Sequence, residues 1–233
     1  MNAPEPASES DVRDSAPAPA QGANVGLQLR RARERKGISV RELSRRVNLS
    51  ASLISQVELG KTTPSVGTLY AICSELGLSL DELFSESGAN GRAGRGGLGA
   101  TGPVLGDLAS LGPVVRSGAG QVIQLGSGVS WERLTPVTEH DVDFLFVVYD
   151  VGGASCPADQ LMRHAGKEYG HVVKGRLGVT IGFDTYELDP GDSISFGSTM
   201  PHRLFAIGDE PAEAIWFVIG RRGDPRVSHA RSD

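Results

Sequence analysis

The sequence predicts a multidomain chain, α followed by all-β: five short helices, a glycine-rich joint and a small antiparallel barrel. Three observations carry this. From Val25 to Phe84 apolar residues recur at helical spacing between capping serines. The segment SESGANGRAGRGGLGATG then places glycines at 88, 91, 94, 96, 97, 99 and 102, a composition too flexible for a packed element. From Gln121 onward QVIQL, SWERL, DFLFVVYDV, HVVKG, RLGVTIG, TYEL, SISFG, HRLFAIG and EAIWFVIG alternate with glycine, proline and aspartate turns, the pattern of a sandwich or barrel. The expected division is a disordered tail over 1–23, a helical domain over 24–86, a flexible linker over 87–112, a β domain over 113–222 and a second disordered tail over 223–233.

The helices follow in order. Val25, Leu29 and Ala32 mark the first. Ser39 followed by Glu42 is a capping box, so a second begins near Val40 with Leu43 and Val47 on one face. Asn48, Leu49 and Ser50 interrupt it with a turn residue and a new N-cap. The third then buries Leu53, Ile54 and Val57, presents Ala51, Ser52, Ser55 and Gln56 outward, and stops at Gly60. Pro64 and Ser65 open a fourth that carries Leu69, Ile72 and Leu76. Ser79 and Glu82 repeat the capping box before Leu83 and Phe84.

Helices two and three are joined by a tight polar turn, a helix-turn-helix, whose outward face is small and amide-bearing. Such a face can lie close in a major groove, where a glutamine amide pairs with the adenine edge. Charge agrees: between Arg30 and Lys61 stand nine Lys or Arg against three acids, a balance of +6 that leaves −11 for the rest of a chain whose net charge is −5. Phosphate neutralisation needs that concentration. The competing reading of Arg30, Arg31, Arg33, Arg35 and Lys36 is a solvated helix face, with one or two touching phosphate. The run from Val25 to Phe84 resembles the XRE family of lambda-repressor-like regulators, with Val40 where that family usually has glutamine. The resemblance implies a double-stranded DNA operator read by a homodimer. Gln56 and Ser52 then contact bases, beside Ala51 and Ser55, while Ser50, Lys61 and Thr62 hold phosphates at the helix start and following loop.

In the β domain, HAGKEYGHVVKG and LDPGDSISFGSTMPHRLFAIGDEPAEAIW are similar to the two motifs of the cupin superfamily, a jelly-roll β-barrel. The resemblance implies a metal site with Met162 in place of a first histidine, leaving His164, Glu168 and His202. His164 and Glu168 are four apart, an even separation that on a strand points both inward. Two histidines and a carboxylate form the facial set that suits iron(II); zinc is the other candidate metal. The alternative is a polar interior in which Glu168, His164 and Arg203 hydrogen-bond one another. His171, at an odd offset from Glu168, faces away, and His140 and His229 fall in loop and tail. Trp131, Phe144, Phe146, Tyr149, Phe196 and Trp216 read as core or dimer packing, and Met162, Tyr169, Phe196 and Phe205 as candidates for a cavity lining.

Two cysteines make no disulfide framework and suit a reduced cytoplasmic setting. No apolar run approaches a membrane span, and the Pro-, Ala- and Ser-rich N-terminus lacks the basic start and hydrophobic core of a signal peptide. The expected function is a cytoplasmic, non-enzymatic transcription regulator whose cupin domain senses a small-molecule effector. The alternative is a mononuclear non-haem iron oxygenase or epoxidase using the same three residues, an architecture similar to the iron epoxidase that finishes fosfomycin. A third, blander reading leaves the cupin to dimerisation.

Overall fold

The computed structural model describes residues 21–85, 112–137, 139 and 142–220. The expected linker, apart from Gly112, lies outside the described residues, as do residues 1–20, the C-terminal tail, His140 and His229.

Five helices form the N-terminal half: α1 (Gln21–Arg35), α2 (Val40–Val47), α3 (Ala51–Glu58), α4 (Val66–Leu76) and α5 (Leu80–Ser85). Helix α1 thus takes in residues 21–23, ahead of the expected boundary. Ser39, Ser50 and Ser65 each accept a backbone N–H from three residues on, satisfying a donor that the first turn cannot. The box at Ser79 closes both ways, with Glu82 accepting from the Ser79 amide. The box at Ser39 does not, because Glu42 turns instead to Arg45 and Arg46. Asn48 ends α2 in the left-handed region at φ 54°. Gly60, at φ 66°, follows α3, and the Lys61 amide reaches back to the Gln56 carbonyl at 2.8 Å, a Schellman closure. Leu29, Leu43, Ile54, Leu69, Leu83 and Phe84 fill the centre.

Nine strands follow: β1 (Val122–Leu125), β2 (Val129–Arg133), β3 (Val142–Tyr149), β4 (Lys167–Lys174), β5 (Arg176–Ile181), β6 (Asp184–Leu188), β7 (Ser193–Gly197), β8 (His202–Ile207) and β9 (Ala212–Ile219). They make two antiparallel sheets, one in the order β1-β2-β3-β9-β4-β7 and one in the order β6-β5-β8. Alternation along β3 and β9 sends Leu145, Val147, Tyr149, Trp216 and Val218 inward. Phe144, Phe146, Ile215 and Phe217 stand half-buried on the outer face, where Phe144 and Phe217 stack at 4.2 Å. Tyr169 is also on the outside, 39% exposed, and so lines no interior cavity.

The halves meet along a hydrogen-bonded seam, and their buried residues form one continuous apolar cluster. Gly67, in the first turn of α4, donates its amide to the Ser155 carbonyl at 2.9 Å, and Gly126 donates to the Pro64 carbonyl at 2.8 Å. A Cβ at Gly126 would stand 2.8 Å from the Thr63 carbonyl oxygen, so the approach requires glycine. The Arg133 guanidinium lies over the Phe84 ring, 5.8 Å from its centre. Among the described residues no helix is long and apolar enough to cross a membrane.

Candidate functional site

The outer face of α3 is built as expected. Ser52 and Gln56 are exposed, Ala51 and Ser55 half-buried, and the side chains of Ser52, Ser55 and Gln56 make no hydrogen bond among the described residues. Ser50 spends its hydroxyl on the Leu53 amide at 3.1 Å. Lys61, in the loop behind the helix, is exposed, with Thr62 half-buried beside it.

The basic residues divide by role. Arg33 is not solvated: it forks onto Glu58 through two hydrogen bonds of 2.6 and 2.8 Å with both side chains buried, and a third goes to the Ile38 carbonyl. The Glu58 carboxylate accordingly raises the Arg33 pKa against the opposing effect of burial. That pair ties α1 to the end of α3 and fixes the tilt of the outward face. Arg46 bridges Glu42 and Glu75, and Lys36 donates to the Glu75 carbonyl. Arg35, Arg41 and Lys61 keep no ion-pair partner among the described residues and are the cations most free to meet phosphate.

The second constellation lies inside the β domain. His164, Glu168 and His202 come together, all buried, with candidate ligand atoms within 4.8 Å of one another. His164 is not on a strand. It precedes β4 on a bent segment whose Gly166 sits at φ 111°, and its amide is pinned to the Ser198 carbonyl at 2.9 Å. The even-spacing argument therefore reaches the right face through a different backbone. Met162 pairs with His202 through both backbone hydrogen bonds, 2.8 and 2.9 Å, so the position that lacks a ligand still holds the two segments in register.

Each group is oriented from behind. His164 Nδ1 lies 3.0 Å from the Ala165 carbonyl and His202 Nδ1 lies 2.8 Å from the Met200 carbonyl. A carbonyl only accepts, so each Nδ1 carries a hydrogen and each ring turns its Nε2 inward. Trp216 Nε1 donates to Glu168 Oε2 at 2.7 Å, leaving Oε1 free. That oxygen is 3.0 Å from His164 Nε2 and 3.1 Å from His202 Nε2. All three atoms are nonetheless without a properly aligned hydrogen-bond partner. Three converging buried ligand atoms held by outer contacts fit a divalent cation, whose histidine ligands are oriented in this way by hydrogen bonds from their other ring nitrogen. Burial alone would raise the Glu168 pKa, but the two imidazoles outweigh it and hold the carboxyl well below the usual range. Burial likewise would lower His202, and the facing carboxylate raises it. Arg203 does not join: its Nε donates to the Cys156 carbonyl.

The remaining candidates are accounted for. His171 is exposed and meets Ser193 Oγ at 2.9 Å. Phe196 packs against His202, ring centres 5.1 Å apart. Phe205 lies half-buried under Arg203. Cys73 and Cys156 are buried and form no disulfide, and burial pushes the Cys156 thiol up, away from reactivity. Two functional residues escaped sequence reasoning. Trp216 looked like core and is the donor to Glu168; Tyr70, on α4, stacks on His164 across the seam.

A helix-turn-helix family model matches residues 29–83 and a cupin domain model matches residues 145–218. The chain is 28% identical over 184 residues to the HTH-type transcriptional regulator PuuR of Escherichia coli (strain K12), spanning 78% of this chain and 87% of that one. It is 37% identical over 61 residues to the uncharacterized HTH-type transcriptional regulator y4dJ of Sinorhizobium fredii, 26% of this chain and 79% of that one. The chain belongs to the HTH-type transcriptional regulators. Its fold matches the crystal structure of an HTH_3 family transcriptional regulator from Vibrio cholerae with a TM-score of 0.56 at 20% identity, covering 85% of this chain and 96% of that one. In this HTH-type regulator the helix-turn-helix is α2 and α3, and the domain behind it is a cupin. It is a DNA-binding regulator of transcription. Helix α4 packs against α1 and α2 and is hydrogen-bonded to the cupin through Gly67.

Proposed function

We propose that the protein reads its operator as a homodimer in the cytoplasm and that its cupin domain, a jelly roll, senses a small effector at a divalent metal held by His164, Glu168 and His202. The observation that carries the sensing half is the set of three buried, convergent atoms with no aligned partner. Iron(II) or zinc there supplies a Lewis-acidic centre with positions left open for a ligand. The protein's own part is to place a hydrogen on each Nδ1 through Ala165 and Met200, which turns both Nε2 atoms inward, and to orient Glu168 through Trp216.

On the reading side, Gln56 and Ser52 contact bases, Ala51 and Ser55 allow close approach, and Ser50, Lys61 and Thr62 hold the backbone. The half-buried apolar patch of Phe144, Phe146, Ile215 and Phe217 on the outside of β3 and β9 suits burial against a second copy. Phe217→Lys should then reduce the mass seen by light scattering from two chains to one; an unchanged mass removes this interface.

The decisive experiment is equilibrium dialysis against cobalt(II), iron(II) and zinc(II), anaerobically, with wild type and His164→Ala. One equivalent bound by wild type and a loss of about 10-fold or more in the variant are expected. No binding by wild type leaves the polar-interior reading. Oxygen consumption by the iron(II)-loaded protein would favour the oxygenase, which the facial donor set allows.

A further inference from the structure

A groove of about 280 Å³ opens along the seam between the two domains. Its walls come from three places: the Val47–Leu49 turn that leads into α3, the side of α4 that carries Thr68 and Ala71, and the cupin segment from Gln160 to Arg163. The volume is close to the lower end of ordinary small-ligand sites, roughly 300 Å³, and domain boundaries are where such sites concentrate. None of His164, Glu168 and His202 lines it.

The chemistry of the walls is one-sided. Arg163 is the one charged side chain, exposed and without an ion-pair partner among the described residues, and no acid lines the groove. The side-chain amides of Asn48 and Gln160, also exposed, make no hydrogen bond among the described residues. Three unspent polar groups from two domains thus border one space. Ser65 and Thr68 offer less, because their hydroxyls bond each other at 3.0 Å. The rest is largely apolar: Val47, Leu49 and Ala71 stand half-buried, and Leu161 is left 43% exposed. A large aliphatic side chain held at the surface beside a lone guanidinium matches a ligand with an apolar body and a carboxylate, the anion onto which a guanidinium forks.

We infer that this groove is a second binding site, for a small monocarboxylate with an apolar body, its carboxylate on Arg163 and its body against Leu49, Ala71 and Leu161. The site stands apart from the metal reading and does not depend on it. A ligand lodged there touches both the turn before α3 and the cupin segment that runs into His164. Its full set of contacts exists only while the two domains are docked, so its binding stabilises that docking by mass action.

The test uses the full chain, stripped of metal with EDTA, and benzoate as the probe in a ligand-observed NMR titration, with neutral benzyl alcohol as the control. Benzoate should saturate one site per chain in the millimolar range, and benzyl alcohol should bind about 10-fold or more weakly. Arg163→Gln should weaken benzoate about 10-fold. Ala71→Phe, which fills the groove from the helix side, should abolish its binding, and His164→Ala should bind it as wild type does. Thermal melts followed by circular dichroism confirm that each variant is folded. No saturation in wild type, or wild-type affinity in either Arg163→Gln or Ala71→Phe, overturns the site. Benzoate lost in His164→Ala but kept in Arg163→Gln places the carboxylate at the triad and overturns the groove. With metal absent throughout, none of these outcomes bears on the metal reading, which the dialysis experiment decides by itself.

Discussion

Gly170→Ala should damage the sensor by way of Trp216, and the size of the effect can be worked out. Gly170 lies opposite Trp216 in the β4–β9 ladder. An added Cβ would stand 2.0 Å from Cζ3 and 2.5 Å from Cε3 and Cη2 of that indole, against about 3.5–4.0 Å for relaxed carbon contacts. The ring must retreat by more than about 1 Å. It is 4% exposed and donates at 2.7 Å to Glu168, so retreat either overpacks the interior or breaks that bond. Overpacking costs about 1–3 kcal/mol and a lost hydrogen bond to a charged group about 1.5–3 kcal/mol. Either way about 1–3 kcal/mol is expected, a fall in Tm of about 2–12 °C for a chain of this size. Equilibrium unfolding in urea, followed by circular dichroism, measures it. A double-mutant cycle with Trp216→Phe isolates the contact, because the smaller ring relieves the clash and the two losses should then fall short of additive. Full additivity, or a Gly170→Ala protein as stable as wild type, refutes the reasoning.

Gln56→Ala should cost about 1–3 kcal/mol on the cognate operator and little on non-specific DNA in a fluorescence anisotropy titration; equal weakening on both removes its base-reading role. Glu58→Ala leaves Arg33 buried without its partner and should destabilise by about 3–5 kcal/mol in the same urea assay, far more than a surface ion pair. Glu42 accepts from Arg46 first and from Arg45, which holds its carboxyl below the ordinary 4.5. A depressed carboxyl stabilises the fold above its unfolded pKa and loses that stabilisation as pH falls through the folded value. The Tm gap between wild type and Glu42→Gln should therefore be open at pH 6, close as pH drops below about 4, and narrow with added salt; a gap independent of pH would show that the pairs contribute nothing.

The helical half was legible because its punctuation is local. Serines at 39, 50, 65 and 79 each cap a first turn, and Gly60 and Gly77 supply the left-handed residues that end α3 and α4. The triad was legible for a different reason: the segments that carry His164, Glu168 and His202 resemble the two cupin motifs. What stayed hidden depends on contacts between distant segments. Tyr70 reads as one more apolar residue on α4 beside Leu69 and Ile72, and Trp216 as core bulk; their roles appear only when His164 and Glu168 are placed against them. Arg33 was hidden in the same way, since a charge run gives no sign of which member turns inward to Glu58.

Helix α4 is where the two halves of the molecule meet. Its N-terminal turn is bonded to Ser155, its Tyr70 covers His164, and its core side carries Leu69 and Ile72 into the same cluster as Leu43 and Ile54 of the reading helices. The shortest physical path from the buried triad to the helix-turn-helix thus runs through α4.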